Sequence, residues 1–438
     1  MPETPRAPTD ASVGRVLVAC PSCDRLYLRP ALAERTVARC RRCADAVVSR
    51  KSDATDQALA FAVASFVLTL GAVAFPFLSI SRAGIEREIS VADAVAALSD
   101  GASPALALLA FGFVVAAPLL RAGAMILALT PVRFSRHRPR YAARAFRWAL
   151  WLGPWAMAEI FMIGVAVSLI KLSDLANIGF GPSFYIFVVL VVVTALERWM
   201  LCPDTIWSRF TPPAERAPLS DAARYGDARA LLSAKRTAAA AGLTPCPRCG
   251  WLHPQTHRRC VRCDARLVAP RDISLQRAWA WLAAAALTYL PANLWPITVT
   301  RSFGETTEST IISGVLSFLR DGDYFVAGVI FAASVLVPAA KFAGILAITL
   351  RLRRPGRLSA AARQRLHKIV EFIGRWSMID VFVVAVLAGI VQMGLLASIS
   401  VGPAAIPFAL TVVFTMFAAE EIDMRVVWRA LDKEETAA

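Results

Sequence analysis

Eight of the nine cysteines in this 438-residue chain fall in Cys-x2-Cys pairs: Cys20 with Cys23, Cys40 with Cys43, Cys246 with Cys249 and Cys260 with Cys263. Two neighbouring pairs bring four thiolates to one centre, the tetrahedral sulfur set of a zinc ribbon. Iron is the other metal that accepts four sulfurs in this geometry. A closed set of four ligands leaves no position for a substrate, so the spacing predicts two structural zinc sites and no catalysis. His253 and His257 lie between the last two pairs as spare nitrogen ligands, but four cysteines already complete that set. Cys202 has no partner and reads as a small buried residue. After Cys23 comes Asp24 rather than glycine, which costs a favourable residue for a tight turn.

A second kind of chemistry comes from ionisable residues inside apolar runs, where charge is costly and marks a polar route or a pairing. Glu159 and Lys171 share one run and, spaced twelve apart, lie on roughly one face of a helix. The matching positions of a later run are Asp380 and Gln392. Arg121 and Lys341 each follow a proline, Pro118 or Pro338, by three residues, where the missing amide frees a carbonyl and opens the helix. With Ser377 and Thr415 these residues form a candidate polar pathway through the membrane, Asp380 and Lys171 being the hardest to place in water. Asn293, Glu371 and Arg375 lie in or at the edges of spans, where Glu371 and Arg375 can snorkel to the interface. Pro76, Pro118, Pro296 and Pro338 are expected to kink helices. No G-x-x-x-x-G-K-[ST] phosphate-binding run occurs.

The elements that must position these groups are membrane helices. Apolar residues make up 57% of the chain although its formal net charge is +16, and mean hydropathy is +0.54. A soluble globule does not combine these values. The charge gathers in particular loops, so it predicts no nucleic-acid partner. Eight runs have the ~20 residues needed to cross a bilayer as a helix: Ala58–Ile80, Pro104–Thr130, Trp148–Leu172, Ser183–Leu201, Ala278–Thr298, Tyr324–Leu350, Ile369–Leu395 and Ala404–Ala419. The expected fold is all-α and polytopic. Six arginines between Arg133 and Arg147, and seven basic residues between Arg351 and Lys368, place those loops on the cytoplasmic side. An even number of spans then puts both termini in the cytoplasm. The first 52 residues are polar and do not read as a secretory signal. Outside, alternating residues around Ala83-Gly84 and Phe303-Gly304 suggest a small hairpin in each half.

The chain repeats itself. Pro76 and Pro118 are 42 positions apart, as are Pro296 and Pro338. GPWAMAEIF from Gly153 aligns with GRWSMIDVF from Gly374, and 26 residues after each tryptophan comes Gly181-Pro182 or Gly402-Pro403. Each half therefore has a ribbon and four spans in the same orientation, related by an axis along the membrane normal. The implied domains are ribbon 1 at 14–52, membrane module 1 at 53–202, a linker at 203–243, ribbon 2 at 244–270, membrane module 2 at 271–423 and a tail at 424–438.

Knuckle pairs before each bundle, the AFPF and LWPI prolines and the GRWSMIDVF segment, in this order, resemble the paraquat-inducible protein A family, and specifically its LetA-type members. The resemblance runs from Cys20 to about Asp423. It implies a multi-pass inner-membrane component that moves phospholipids between membranes with a periplasm-spanning MCE-domain partner. The family's polar core would carry over onto Lys171, Glu159 and Asp380, and further onto Lys341 and Arg121. Two other classes stay open on the residues alone. One is a membrane redox protein with iron in the cysteine sites, and the other is a non-transporting membrane anchor.

Overall fold

The computed structural model describes residues 17–51, 53–82, 85–90, 93, 104–135, 139–172, 177–210, 237–267, 273–302, 305–320, 322, 324–350, 360–376, 397–426 and 428. The chain opens with two short hairpins, β1 (Leu17–Ala19) with β2 (Leu26–Leu28) and β3 (Val37–Arg39) with β4 (Ala46–Ser49). The first half then runs α1 (Ala54–Ala74), β5 (Pro76–Arg82), β6 (Ile85–Ser90), α2 (Pro104–Phe111), α3 (Ala117–Phe134), α4 (Arg140–Leu152), α5 (Ala158–Leu172), β7 (Asn177–Phe180), α6 (Pro182–Met200) and α7 (Pro203–Phe210). A third hairpin, β8 (Leu243–Pro245) with β9 (Leu252–Pro254), separates the halves. The second half runs α8 (Ile273–Leu294), β10 (Thr298–Ser302), β11 (Glu305–Ser309), α9 (Ile311–Arg320), α10 (Tyr324–Phe331), α11 (Val337–Leu350), α12 (Ala360–Trp376), β12 (Ala397–Val401) and α13 (Ala405–Glu420).

Helices dominate, and among the described residues four are long and apolar enough to cross a membrane: Ala54–Ala74, Ala107–Phe134, Arg140–Ala166 and Pro182–Met200. Ile311–Arg320, Ser334–Leu350 and Ala405–Glu420 are shorter apolar helices. Most of the expected span Ile369–Leu395 lies outside the described residues. The expected all-α fold needs correction, because each half also carries a three-stranded antiparallel sheet. In the order β6-β5-β7 and β11-β10-β12, a distant strand joins each anticipated hairpin.

The prolines act in two ways. Pro76 opens β5 and Pro296 follows the end of α8, so neither kinks a helix. Without an amide hydrogen, and with the preceding residue biased away from helical angles, each stops the helix before it. This shortens the expected first and fifth spans. Pro118 and Pro338 sit just beyond single π-turns, Gly112–Ala116 and Ala332–Leu336. The wider turn makes room for a proline ring that would otherwise strike the carbonyl four residues back. Nor is the third span one continuous helix: α4 gives way to a 3-10 turn at Gly153–Trp155 before α5 begins.

The helices are inside-out relative to those of a soluble protein. Along α1 the buried positions include Ala58, Ala62, Ser65, Thr69 and Ala72, a seam of small residues that lets α6 approach closely. The seam recurs in α8 as Ala278, Leu282, Ala285 and Ala292, facing α13. Large apolar side chains point outward instead, Leu120 and Leu127 at 62% exposure and Leu287 at 72%. The halves share one core, in which Trp155, Met157 and Phe161 meet Phe408, Val412 and Met416.

The repeat anchors meet in space. The amide of Gly181 donates to Phe77 O at 3.0 Å and that of Gly402 to Ile297 O at 2.8 Å. A Cβ at Gly181 would press into the carbonyl oxygen of Pro76, and one at Gly402 into that of Pro296. Gly402→Ala is therefore expected to destabilise the chain by about 1–3 kcal/mol, an overpacking cost. Gly112→Ala, whose Cβ would meet nothing within 4 Å, is the control. Thermal unfolding in detergent measures both, and equal midpoints would remove this account of the glycine.

Candidate metal centres and intramembrane polar residues

All four Cys-x2-Cys knuckles fold alike. In each, the amide of the residue after the second cysteine donates to the carbonyl of the first: Asp24 to Cys20 at 3.0 Å, Ala44 to Cys40 at 2.9 Å, Gly250 to Cys246 at 3.0 Å and Asp264 to Cys260 at 2.8 Å. That residue must adopt left-handed angles, with φ of +61°, +60°, +69° and +57° in turn. Glycine does so freely and aspartate with modest cost. Asp24 offsets its cost, since its buried carboxylate accepts the Ala239 amide at 3.0 Å and ties ribbon 1 to the chain before ribbon 2.

The knuckles gather two clusters, Cys20, Cys23, Cys40 and Cys43, and Cys246, Cys249, Cys260 and Cys263, with all sulfurs within 4.8 Å of one another. Neighbouring sulfurs stand 3.4–3.5 Å apart. Four thiolates around one ion at ~2.3 Å make a tetrahedron with edges of about 3.8 Å, so both donor sets fit a metal. A hydrogen bond from Cys20 leads in pulling the Cys43 thiol down to about 2. One from Cys249 leads in pulling Cys246 to about 7. The other sulfurs move the opposite way, a hydrogen bond to Cys20 pushing Cys23 up and one to Cys246 pushing Cys249 up, so protons are shared unequally within each cluster, whereas a metal takes all four as thiolates. His253, fully buried, stays outside the sulfur set and hydrogen-bonds Cys260 Sγ at 3.3 Å, while Tyr27 does the same for Cys40 at 3.1 Å. Such outer contacts orient and tune ligand sulfurs. Cys202 is buried beside Ser49 and Thr205.

Each ribbon packs its cysteines against the opposite half, although ribbon 1 also touches the first half through Ser49, bonded to Asp204, and Lys51, bonded to Trp199 O. Ribbon 1 lies against the second half, where Trp428 packs on Cys20, Cys23 and Cys40, Arg42 stacks over Trp428 at 4.6 Å, and Lys368 pairs with Asp45 at 2.7 Å. Ribbon 2 lies against the first half: its four cysteines pack with Phe146, Trp207 and Phe210, and Arg147 donates to Cys263 O at 2.9 Å. Asp264 pairs with Arg144 and Arg259, and the Arg259 hydrogen bond leads in holding its carboxyl below the usual range. The ribbons also meet each other, Leu26 and Ala19 against Leu243 and Leu252.

Within the helices, Arg121 binds Glu197 through its two terminal guanidinium nitrogens, at 2.8 and 3.0 Å, and the two side chains are 7% and 2% exposed. Arg198 binds Glu159 at 2.8 Å and also donates to Ala156 O, bridging the broken third span to α6. In the second half Lys341, 1% exposed, donates to Thr415 Oγ1 at 3.0 Å. Lys171 occupies the last turn of α5. Asp380, Gln392 and Ser377 lie outside the described residues. Glu197 and Arg198 escaped the sequence reading although both sit in the expected fourth span, where any charge is a signal. Their counterparts in the repeat are Ala418 and Ala419, so these two charges belong to the first half alone, unlike Arg121 and Glu159, which are matched by Lys341 and Asp380.

Fold and sites together define a duplicated, predominantly helical membrane protein with a pair of four-cysteine ribbons able to hold a metal. The chain belongs to the paraquat-inducible protein A family, whose sequence pattern matches residues 55–211 and 275–432. It is 34% identical over 414 residues to the intermembrane transport protein PqiA of Escherichia coli K12, covering 94% of this chain and 95% of that one. The lipophilic envelope-spanning tunnel protein A of the same strain is 29% identical over 413 residues, with 94% and 91% covered. A probable intermembrane transport protein of Haemophilus influenzae is 26% identical over 430 residues, with 95% and 97% covered. No solved structure matches the chain.

Proposed function

We propose that the chain is an inner-membrane transporter of phospholipid, working with a periplasm-spanning MCE-domain protein to move lipid between membranes. The reading rests on one observation above the others: similarity to named intermembrane transport proteins over 94% of the chain. In this reading eight spans form two tandem four-helix modules, 53–202 and 271–423, each preceded by a zinc ribbon, at 14–52 and 244–270. The linker, tail and both termini are cytoplasmic. The arginine-rich loops support that orientation, and the sheets then stand at the periplasmic ends, where strand edges are available to a partner. Zinc, where bound, supplies rigidity and closes each ribbon.

Lipid needs a polar route for its head group beside an apolar one for its tails. The buried Lys341 and Thr415, hydrogen-bonded within an apolar shell, suit the first requirement. We place Asp380, Ser377 and Gln392 on the same route in the second half, and Lys171 on the first-half side, where a lysine attracts phosphate. Glu159 and Arg121 enter as members of ion pairs, and Pro118 and Pro338 set the π-turns that open the helices there. Lys341→Met, which keeps most of the volume, is expected to cut transfer of fluorescent phospholipid between inner- and outer-membrane vesicles at least tenfold without loss of folded protein. Undiminished transfer would remove Lys341 from the route. Co-purification with an MCE-domain protein tests the partner separately.

A further inference from the structure

Corresponding helices of the two halves are spaced differently. In the first half α1 packs along α3, whereas among the described residues their counterparts α8 and α11 do not pack along each other. Residue size gives the reason. With the repeat aligned on its prolines, Thr69 and Ala122 of the first half correspond to Tyr289 and Phe342 of the second. Thr69 and Ala122 are 1% and 4% exposed, small side chains over which two helices can close. Tyr289 and Phe342 put two rings in the same place, 5.6 Å apart and tilted by 54°. Rings of that size hold the helix backbones apart. Further along the seam, Leu282 and Ile348 stand where the first half has Ala62 and Ala128.

We propose that Tyr289 and Phe342 are the gate of a lateral portal through which a phospholipid head group passes from the bilayer to Lys341, an inference that rests on the transport reading.

Position carries the argument. Lys341 precedes Phe342 in the chain, is 1% exposed and donates to Thr415 on α13, so a head group in the bilayer reaches it only by passing between helices. One residue turns an α-helix by ~100°, which sets Phe342 between the buried face of α11 that holds Lys341 and the outer face that exposes Ala339 and Ala343. Both rings are partly buried, as gate residues at such a boundary must be. A ring pair is also a barrier that can move, since rotation about χ1 swings each side chain between staggered wells and leaves every backbone hydrogen bond intact. An opening between α8 and α11 admits the head group while the acyl chains stay in hydrocarbon, so no tail enters water. The first half offers no equivalent passage. Its Thr69–Ala122 seam has no ring to swing, and Arg121, the counterpart of Lys341, is held by Glu197.

The test uses the full-length, metal-loaded protein in vesicles, read by the initial rate of fluorescent phospholipid transfer. Tyr289→Cys/Phe342→Cys places two thiols where the rings meet, and a short bis-methanethiosulfonate linker joins them. The parent protein treated with the same reagent controls for reaction at the ribbon thiols, and bound metal is measured in both. Linking is expected to slow transfer at least fivefold, and reductive cleavage of the linker to restore it. Tyr289→Leu/Phe342→Leu keeps apolar volume without the ring pair, so the closed gate is weakened and transfer is expected to rise about twofold or more with the fold intact. Full-rate transfer by the linked protein, or transfer by the leucine variant at or below the parent rate with an unchanged thermal midpoint, overturns the gate. Lys341→Met separates this failure from that of the transport reading. Loss of transfer in Lys341→Met beside full-rate transfer by the linked protein removes the gate and keeps the route, whereas a parent protein that transfers no lipid removes both.

Discussion

Glu197→Ala is expected to destabilise the protein by about 3–5 kcal/mol, among the largest effects of any single substitution outside the metal ligands. The carboxylate is 2% exposed and engages both nitrogens of Arg121, so its removal strands a guanidinium in an apolar interior. Attraction between the two is offset by the cost of burying them, and replacing both by apolar residues of similar size is often neutral or stabilising. Arg121→Met/Glu197→Leu should therefore recover most of the lost stability. Thermal unfolding in detergent gives the stabilities of all four members of the cycle. Lipid transfer by the double variant then separates two roles. Normal transfer makes the pair a brace between α3 and α6, whereas a stable but inactive double variant makes it part of the route.

The second large effect concerns the metals. Binding of a structural metal to four thiolates contributes folding free energy directly, on the order of 10–16 kcal/mol in isolated zinc-finger peptides. Chelation, or Cys249→Ser, is expected to unfold ribbon 2 and release the first half's Phe146, Trp207 and Phe210 from their packing. The emission of Trp207 and Trp251 should shift to the red, and limited proteolysis should cut near residue 250. Metal analysis of the intact protein should return two ions per chain, colourless for zinc. Visible absorbance and iron would favour the redox reading. Protons compete with metal for thiolate, so release should rise as pH falls. Unchanged emission and protease resistance after complete metal removal would show that the knuckles fold without metal.

The cysteine clusters were legible because ligand spacing is a local property of the chain. Four Cys-x2-Cys pairs suffice to announce two sites, and the structure puts each set of sulfurs within 4.8 Å. The repeat was legible through Pro76, Pro118, Gly181 and their partners, since backbone stops and close approaches tolerate few residue types. Hydropathy was weaker at boundaries. It ran the first span on to Ile80, because an apolar strand after a proline is as hydrophobic as the helix before it. The third strand of each sheet, β7 or β12, lies about a hundred residues beyond its partner, and nothing in a short window announces that pairing. Arg121 and Glu159 were visible individually, whereas their partners Glu197 and Arg198 were not picked out. Arg121 with Glu197 and Arg198 with Glu159 are tertiary matches across helices, which sequence spacing does not encode.

The crossed packing of the ribbon cysteines bears on ancestry. If a single-repeat ancestor worked as a symmetric pair, each copy would already have lent its N-terminal metal knuckles to its neighbour, and gene fusion would have preserved that loan as an internal one. Cutting the chain between residues 211 and 236 would then yield two fragments that each carry the other's cap. Expressed together they should reassemble, whereas either alone would leave a ribbon without its seat and a membrane module without its lid.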